Sequence, residues 1–373
     1  MNYKISGTPI SPVLIFSNSL GSEMMMWDEL VPYLLPYFRV LQYNTRGHGD
    51  SDGFNQSNPK SIKTLARDVL RMMDEQNIEK AYFCGLSMGG LIGQYLAIHH
   101  ADRFIKIVLS NTAAQIGTVE RWNERIENIQ KNGMEAIVAD TMLRWFTADF
   151  LQKKANIVTE AKSMFLRNNI NGYAACCEAI RDADFRTQLN KIKIETLIIA
   201  GEEDPVTNVD HAKFLNVNIA NSKLEILPAK HLSAMECPQK YAEILIKFCV
   251  GSTNFDRGMH VRRSVLGDTH VNNSIHKTNE FNADFQAFIT NYAWGEIWTR
   301  PGLSKHQKSL ITLSMLIALN RPAEFKMHVK AAFNNGVSKD EIKEVIMQSA
   351  IYCGLPAAND AFHLAQDVFS EIF

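Results

Sequence analysis

The sequence predicts two folds in one chain. Up to about residue 251, short apolar runs alternate with helical patterns, which is typical of a doubly wound, mostly parallel α/β sheet. Residues from about 117 to 187 interrupt this alternation with helical sequence, and we expect them to form a cap. From 258 to 373 no further strand–glycine–helix unit occurs, so we expect an all-α second domain.

Two apolar runs open the chain and predict its first strands. Residues 13–16 and 38–43 are short and apolar, as buried strands are. Glycine-containing loops follow both, over residues 17–22 and 44–51. We expect His48, in the second loop, to be structural rather than catalytic.

A nucleophile elbow follows the third predicted strand. Residues 81–84 are apolar, and residues 85–90 are Gly-Leu-Ser-Met-Gly-Gly, which matches the G-x-S-x-G turn between a strand and a helix. The glycines leave room for a serine in a strained conformation, and the next helix directs its N-terminus at developing negative charge. We expect Ser87 to be a nucleophile. A chance glycine-rich turn is the alternative.

An acid and a histidine follow Ser87 in an order known for catalytic triads. Residues 196–201 predict a buried strand, and Asp204 lies just past its end, at the carboxyl edge of the sheet. Residues 224–227 predict the last strand, and His231 follows in a loop. We expect His231 to be the general base and Asp204 to orient its imidazole. Each residue taken by itself has an alternative interpretation. Asp204 could form a turn before proline, and His231 could be a solvated loop residue.

Such a triad needs two backbone amides that stabilise the oxyanion formed on the substrate carbonyl. One belongs to the residue after the nucleophile, which is Met88. The other comes from the loop after an early strand, where Leu20 is best placed. Leu20 and Met88 are therefore the predicted oxyanion hole.

With these motifs, residues 1–251 resemble the α/β-hydrolase superfamily. Residues 17–21, Ser-Asn-Ser-Leu-Gly, together with Met26 and Trp27, are most similar to the beta-ketoadipate enol-lactonases. Many superfamily members have Asp where this chain has Asn44, a departure that leaves the triad untouched. The resemblance implies that Ser87 opens an enol-lactone ring and that water activated at His231 hydrolyses the acyl-enzyme.

Composition limits the remaining function classes. A length of 373 residues suggests two domains, and a net charge of −1 argues against binding nucleic acid or an anionic membrane through bulk charge. No run of 18 apolar residues predicts a membrane span, and the first residues carry no apolar signal segment. The six cysteines lack C-x-x-C or zinc spacing. We expect free thiols, no metal site and a cytoplasmic protein.

The second domain is predicted to begin after a short linker of small polar residues, 251–254. Ser304 with Gln307, and Ser338 with Glu341, form capping-box patterns that open long helices. Their apolar faces lead us to expect a homo-oligomer assembled through this domain.

Residues 258–373 resemble the gamma-carboxymuconolactone decarboxylases over nearly their whole length. The matching segments are residues 265–268, 294–303, 328, 334–337 and 352–358. A redox relative uses a C-x-x-C pair, but this half has only Cys353, so we do not expect dithiol chemistry.

The decarboxylation that this resemblance implies needs no cofactor, because the unsaturated lactone accepts the electron pair itself. The protein must stabilise an oxyanion, hold a second carboxylate and return a proton to carbon. We expect His328 to supply acid chemistry or oxyanion stabilisation, Glu296 to orient it or share its proton, and Arg300 to hold the carboxylate. His328 lies four residues after Glu324, so an exposed helix contact is the alternative.

The two resemblances explain each other, since the product of the decarboxylase is the substrate of the lactonase. Together they imply a bifunctional enzyme of aromatic catabolism, in the beta-ketoadipate pathway of protocatechuate degradation, acting on small lactones. Arg144 and Trp145 in the cap offer a cation beside an aromatic wall, and we expect Arg144 to bind the substrate's free carboxylate. A solvated arginine is an equal alternative.

Other functional classes stay open at this point. The first is a carboxylic-ester hydrolase of another substrate whose C-terminal helices serve only assembly. A redox protein with an appended hydrolase and a non-catalytic binding protein are also compatible. The missing cysteine pair weighs against the redox protein, and the intact triad against the binding protein.

Overall fold

The structure is a computed structural model, and it describes residues 2–51, 53 and 60–372. These residues form two compact units. The first unit comprises Met1–Ile5, Val13–Pro32 and Val40–Cys249, and the second comprises Ser6–Pro12, Tyr33–Arg39 and Val250–Phe373.

The second unit therefore includes two N-terminal segments that the sequence-based boundaries leave in the first domain. Polar contacts join both segments to helices of this unit. The Lys305 ammonium lies 3.1 Å from the Ser11 hydroxyl, and His260 Nε2 lies 2.5 Å from the Tyr37 carbonyl oxygen. The predicted boundaries at 251 and 258 stay predictions.

The first unit is built on a seven-stranded sheet with the order β1-β3-β2-β4-β5-β6-β7. The strands β2, β4, β5, β6 and β7 pair in parallel as neighbours. Every residue of β2, β4 and β6 is buried, which explains their continuous apolar runs. The predicted α/β class is confirmed. The strands are β1 (Tyr3–Ser6), β2 (Val13–Ser17), β3 (Arg39–Tyr43), β4 (Ala81–Leu86), β5 (Phe104–Ser110), β6 (Thr196–Gly201) and β7 (Ser222–Leu227).

Helices connect these strands, and a group of them lies between β5 and β6, where the sequence predicts a cap. Side chains of Thr118, Thr147 and Asn169 cap α4, α6 and α8, which begin at Val119, Ala148 and Ile170, by accepting a backbone hydrogen bond. The helices are α1 (Val31–Leu34), α2 (Ile62–Glu75), α3 (Met88–His99), α4 (Val119–Asn132), α5 (Glu135–Trp145), α6 (Ala148–Lys153), α7 (Ala155–Leu166), α8 (Ile170–Arg181), α9 (Val209–Asn218), α10 (Ser233–Glu236) and α11 (Pro238–Cys249).

The second unit is helical, as predicted. Capping boxes at Ser304 and Ser338 open two of its long helices, and their apolar faces pack around Leu313, Val329 and Ile342. Its helices are α12 (Asn254–Leu266), α13 (Asp268–His276), α14 (Ala283–Ile289), a π-helical segment (Thr290–Ile297), α15 (Lys305–Ala318), α16 (Pro322–Asn334), α17 (Lys339–Cys353) and α18 (Leu355–Ile372).

Within the described ranges, no helix has both the length and the apolar character needed to cross a membrane. All six cysteines are free thiols, and most of them are buried.

Candidate active site

Ser87 stands in a tight turn between β4 and α3. Its φ is +59°, a value that is costly for a residue other than glycine. A Cβ on Gly85 would lie 2.0 Å from the Gly89 carbonyl oxygen, and a Cβ on Gly89 would lie 2.2 Å from that of Ser17. Both positions therefore require glycine. The Ser87 amide donates to the Ser110 carbonyl oxygen over 2.9 Å, which holds the turn against β5.

The structure brings the three predicted triad residues together. Ser87 Oγ lies 2.9 Å from His231 Nε2, and His231 Nδ1 lies 2.8 Å from Asp204 Oδ2. All three residues are at most 5% exposed. This chain of contacts lets the serine proton pass to an imidazole whose orientation and charge the carboxylate supports.

Asp204 is held as a carboxylate by the donors around it. Burial alone would raise the pKa of Asp204, but His231 and several hydrogen bonds outweigh this effect and hold the pKa well below its usual range. The amides of Val206 and Thr207 donate to Oδ1 over 2.8 and 3.1 Å. The Thr207 hydroxyl donates to Oδ2 over 2.8 Å.

Asn111 links the acid to the histidine loop and was not predicted from the sequence. Its Nδ2 donates to Asp204 Oδ2 and to the Lys230 carbonyl oxygen, each over 3.1 Å. Its Oδ1 accepts from the hydroxyls of Ser110 and Ser233. Asn111 has a φ of +43°, a conformation that asparagine tolerates better than most residues. Polar residues are common where a strand passes into a loop. The sequence therefore carries no specific signal that Asn111 bonds to Asp204 and to the histidine loop.

The predicted oxyanion-hole amides belong to buried residues beside Ser87. In the part of the chain that the structure describes, the amides of Leu20 and Met88 have no hydrogen-bond acceptor. The loop that carries Leu20 is held at Gly21, whose amide donates to His48 Nε2 over 2.8 Å. Burial lowers the pKa of His48 to about 4, so its imidazole is neutral at pH 7 and can accept this bond.

A cavity of about 500 Å³ in the first unit contains Ser87 and His231. The predicted residues Arg144 and Trp145 line it from the cap, and Trp145 is 4% exposed. Arg125 and Tyr173 also line the cavity, although the sequence analysis did not select them. Arg125 lies on α4 among charged residues, where a solvated helix face is the ordinary interpretation.

Glu236 joins the cap to the histidine loop. Its carboxylate accepts from the amide and the hydroxyl of Thr147, over 2.7 and 2.8 Å, and from the amide of Lys230. The Leu232 amide also donates to the Trp145 carbonyl oxygen over 3.1 Å. The end of α5, which carries Arg144 and Trp145, is thus held beside His231.

The predicted decarboxylase residues are less closely assembled. Burial lowers the pKa of His328 on α16 to about 4, and nearby His270 lowers it further while Glu324 opposes the effect. Glu296 instead accepts a hydrogen bond from Asn254 Nδ2. Among the described residues, no hydrogen bond or ion pair joins Glu296, Arg300 and His328. His270 was not predicted.

No group of three or more His, Cys, Asp or Glu side chains within the described residues is arranged to hold a metal ion.

Comparisons with known proteins match the N-terminal and the C-terminal parts of the chain separately. The family model described as alpha/beta hydrolase fold matches residues 12–238, and the model of the carboxymuconolactone decarboxylase family matches residues 283–367. Over 241 residues, the chain is 42% identical to 3-oxoadipate enol-lactonase 2 of Acinetobacter baylyi, covering 65% of this chain and 90% of that protein. Over 118 residues, it is 52% identical to the 4-carboxymuconolactone decarboxylase of the same organism, covering 32% of this chain and 88% of that protein.

A solved structure supports the match of the first unit. The crystal structure of the enol-lactonase from Burkholderia xenovorans LB400 aligns with a TM-score of 0.65 at 38% identity. The alignment covers 66% of this chain and 95% of that one.

Thr207 provides a test of the acid's environment. We predict that Thr207→Val lowers the rate of p-nitrophenyl acetate hydrolysis by about ten- to a hundredfold, because a hydrogen bond to a charged acceptor contributes about 1.5–3 kcal/mol. The control is Thr159→Val, since the Thr159 hydroxyl bonds to the Ala155 carbonyl oxygen of its own helix on an exposed part of the cap. Equal rates in the two variants would contradict the role assigned to Thr207.

Proposed function

Because the chain belongs to the α/β-hydrolase family through residues 12–238 and to the carboxymuconolactone decarboxylase family through its C-terminal part, we propose that it is a bifunctional enzyme of the beta-ketoadipate pathway. The second unit decarboxylates 4-carboxymuconolactone, and the first hydrolyses the resulting enol-lactone to beta-ketoadipate. The observation that carries this proposal is that one chain spans nearly the whole of two relatives whose names describe consecutive steps.

The hydrolysis proceeds through Ser87. Its Oγ attacks the lactone carbonyl while its proton moves to His231 Nε2, and the amides of Leu20 and Met88 receive the oxyanion. The bond between the carbonyl carbon and the ring oxygen then breaks, and the oxygen leaves as an enolate, a better leaving group than an alkoxide. The enolate takes the proton from His231 Nε2 to form an enol, which leaves His231 neutral again. Water activated at His231 then hydrolyses the acyl-enzyme, and the enol becomes a ketone. The hydrogen-bonded chain from Ser87 to Asp204 supports this mechanism.

Arg144 binds the free carboxylate of the lactone, and Trp145 forms an apolar wall beside it. The position of both residues in the cavity that contains Ser87 supports this assignment.

The decarboxylation depends on His328, Glu296 and Arg300. Since burial lowers the pKa of His328 to about 4, its imidazole is neutral at pH 7, which favours donation of an N–H to the developing oxyanion over the release of a proton. Glu296 orients this residue or shares its proton, and Arg300 holds a substrate carboxylate. The chemistry uses no metal and no organic cofactor.

The enzyme assembles into a homo-oligomer through its second unit. Helices α15, α17 and α18 leave large apolar side chains exposed, and a groove of about 640 Å³ runs between α15 and α17. An apolar area of this kind is typical of a contact surface. The exposed side chains include Met315, Leu319, Ile351, Tyr352 and Leu355. The free thiols suit a reducing compartment, so we place the enzyme in the cytoplasm.

A second candidate function is a hydrolase of other carboxylic esters with a helical unit that serves only assembly. The absence of a hydrogen bond or ion pair joining Glu296, Arg300 and His328 among the described residues favours it. Decarboxylation by the purified full-length protein separates the two candidates.

We predict that Ser87→Ala stops the reaction at the enol-lactone. Removal of the nucleophile costs orders of magnitude, whereas decarboxylation takes place in another unit. The experiment supplies 4-carboxymuconolactone and follows both products with time. Ser163→Ala, a substitution on the exposed face of α7, is the control and keeps both steps. Formation of beta-ketoadipate by Ser87→Ala above the spontaneous rate would make the assignment wrong.

We predict the reciprocal result for His328→Ala. Decarboxylation falls by about a hundredfold or more, in the range for a positioned acid or oxyanion donor, while supplied enol-lactone is hydrolysed normally. His363→Ala on the exposed face of α18 is the control. Decarboxylation also survives dialysis against a strong chelator. Normal turnover by His328→Ala, or loss of activity with the chelator, would overturn this mechanism.

We predict that the wild-type protein sediments as an oligomer and that Tyr352→Glu shifts it towards the single chain. Tyr352 is 79% exposed, so the substitution does not disturb packing within the chain but places a charge on the proposed contact surface. Val217→Glu, at an 80% exposed position in the first unit, is the matched control and leaves the assembly intact. A monodisperse wild-type monomer in sedimentation velocity would contradict this part of the proposal.

A further inference from the structure

We propose that Glu236 is a positioning residue of the hydrolase site. Its carboxylate joins the cap to the histidine loop, residues 228–232 between β7 and α10, and thereby keeps the His231 imidazole aligned with Ser87. This inference rests on the proposed function, since it assumes that these two residues carry out the hydrolysis. Among the described residues, the hydrogen bonds of Glu236 go to Thr147 and Lys230, so its effect passes through the backbone around His231.

Glu236, the last residue of α10, accepts hydrogen bonds on both carboxylate oxygens. Its Oε2 accepts from the Lys230 amide over 2.5 Å, which fixes the carboxylate relative to the histidine loop. Its Oε1 accepts from the amide and the hydroxyl of Thr147, over 2.7 and 2.8 Å. Thr147 lies in the cap, 89 positions earlier in the chain. One charged side chain therefore bridges two segments that are distant in sequence, through bonds of the stronger, charge-assisted kind.

Two further hydrogen bonds join the histidine loop to the end of α5. The Lys230 ammonium donates to the Leu143 carbonyl oxygen over 2.9 Å. The Leu232 amide donates to the Trp145 carbonyl oxygen over 3.1 Å. The residues on both sides of His231 are thus tied to the cap, and the carboxylate bridge lies at the same place in the fold.

The histidine loop is also held from the opposite side. Asn111 Nδ2 donates to the Lys230 carbonyl oxygen over 3.1 Å. Lys230 is therefore held at its carbonyl oxygen by Asn111 and at its amide by Glu236. His231 is the next residue, and its Nε2, 2.9 Å from Ser87 Oγ, must stay within hydrogen-bond distance to accept the serine proton. Loss of the bridge frees one of the two anchors next to the proposed base.

Only a carboxylate can serve both segments at once. It offers two acceptor oxygens and no donor, and the groups that face it are two backbone N–H groups and one hydroxyl. A glutamine side chain has nearly the same shape, but it has one oxygen and one NH2 group. In Glu236→Gln, the NH2 group must face the amide of either Thr147 or Lys230. That amide loses its acceptor, and the bridge opens on that side.

The test measures kcat and KM for p-nitrophenyl acetate in the full-length protein. This ester carries no carboxylate, so a change in the position of Arg144 does not affect its binding. We expect Glu236→Gln to lower kcat by about ten- to a hundredfold, since a misplacement of about 1 Å at a catalytic group can cost a hundredfold. We expect KM to change by less than about threefold, because acylation and deacylation both use His231 and slow together.

Glu243→Gln is the matched control, because Glu243 is exposed on α11 and accepts from Gln239 of its own helix. It should keep the wild-type kcat and KM. A loss of the same size in Glu243→Gln would show that any removal of negative charge near α10 has this effect, and it would overturn the inference.

Titration of the reactive serine separates positioning from folding. A fluorophosphonate forms a bond between phosphorus and Ser87 Oγ with loss of fluoride, while the serine proton passes to His231. Its end point counts the sites, and kcat is expressed per site. A purely structural role of Glu236 would lower the number of sites or the melting temperature of Glu236→Gln but leave kcat per site unchanged. That result overturns the inference, whereas a lower kcat per site supports it.

Thr147→Ala tests the cap side of the bridge. We expect it to lower kcat per site by about two- to tenfold, the range for one hydrogen bond. Combined with Glu236→Gln, it should cost little more than Glu236→Gln alone, because both changes break the same bridge. The Thr147 hydroxyl also caps α6, but loss of that cap lowers stability rather than kcat per site. Thr147→Ser keeps the hydroxyl and is expected to keep the wild-type rate. Strictly additive losses in the combined variant would contradict a shared bridge.

Ser87→Ala separates this inference from the proposed function. If Ser87→Ala hydrolyses the ester at the wild-type rate, the proposed function fails and this inference fails with it. If Ser87→Ala is inactive and Glu236→Gln keeps the wild-type kcat per site, only this inference fails.

Discussion

The geometry of the hydrolase site depends on how closely the first turn of α3 approaches β4 and β2. Only a residue without a Cβ permits this approach at Gly85 and Gly89, where the carbonyl oxygens of neighbouring backbone would lie 2.0 and 2.2 Å from an added Cβ. Ser87 lies between them in a strained conformation. The same approach lets the Gly89 amide donate to the Asn18 carbonyl oxygen over 3.0 Å. The turn that carries Ser87, the proposed nucleophile, thus also fixes the loop that carries the Leu20 amide.

Charged residues are proposed to act at opposite ends of the substrate. They differ in the hydrogen-bond and ion-pair partners that the protein itself provides. At the proposed reacting end, Asp204 accepts from His231, Thr207 and Asn111, so its oxygens have hydrogen-bond donors before substrate binds. At the other end, the hydrogen-bond partner of Arg144 among the described residues, Thr141, is neutral. A hydrogen-bond network whose donors and acceptors are all paired within the protein fixes the geometry of its members. A cationic group without an anionic partner instead favours ligands that carry an anion. Orientation of the base and selection of the substrate are therefore separate tasks.

The features that could be predicted from the sequence are those that depend on local pattern. The apolar runs predicted a parallel sheet because β2, β4 and β6 are buried on both faces. The nucleophile elbow and the order of Ser87, Asp204 and His231 could also be predicted, because they depend on short motifs and on their order along the chain. Asn111 and Arg125 were not, because their partners are distant in the chain. Arg125 bonds to a residue 48 positions later, and a charged residue on an amphipathic helix gives no sign of such a contact.

Prediction from the sequence was more limited for the second unit. The resemblance to the decarboxylases indicated candidate residues there, but it did not indicate their contacts in the fold. Glu296 lies in the π-helical segment and Arg300 shortly after it, whereas His328 lies on α16. The near neighbour of His328 that the structure adds is His270. The burial of His328 still constrains the chemistry. A neutral imidazole can donate an N–H to an oxyanion, which is the role that we propose for the amides of Leu20 and Met88 in the first unit. In both proposed steps, negative charge develops on the lactone carbonyl oxygen. Neutral donors at both sites therefore stabilise that charge without binding the ground state as tightly as a cation would.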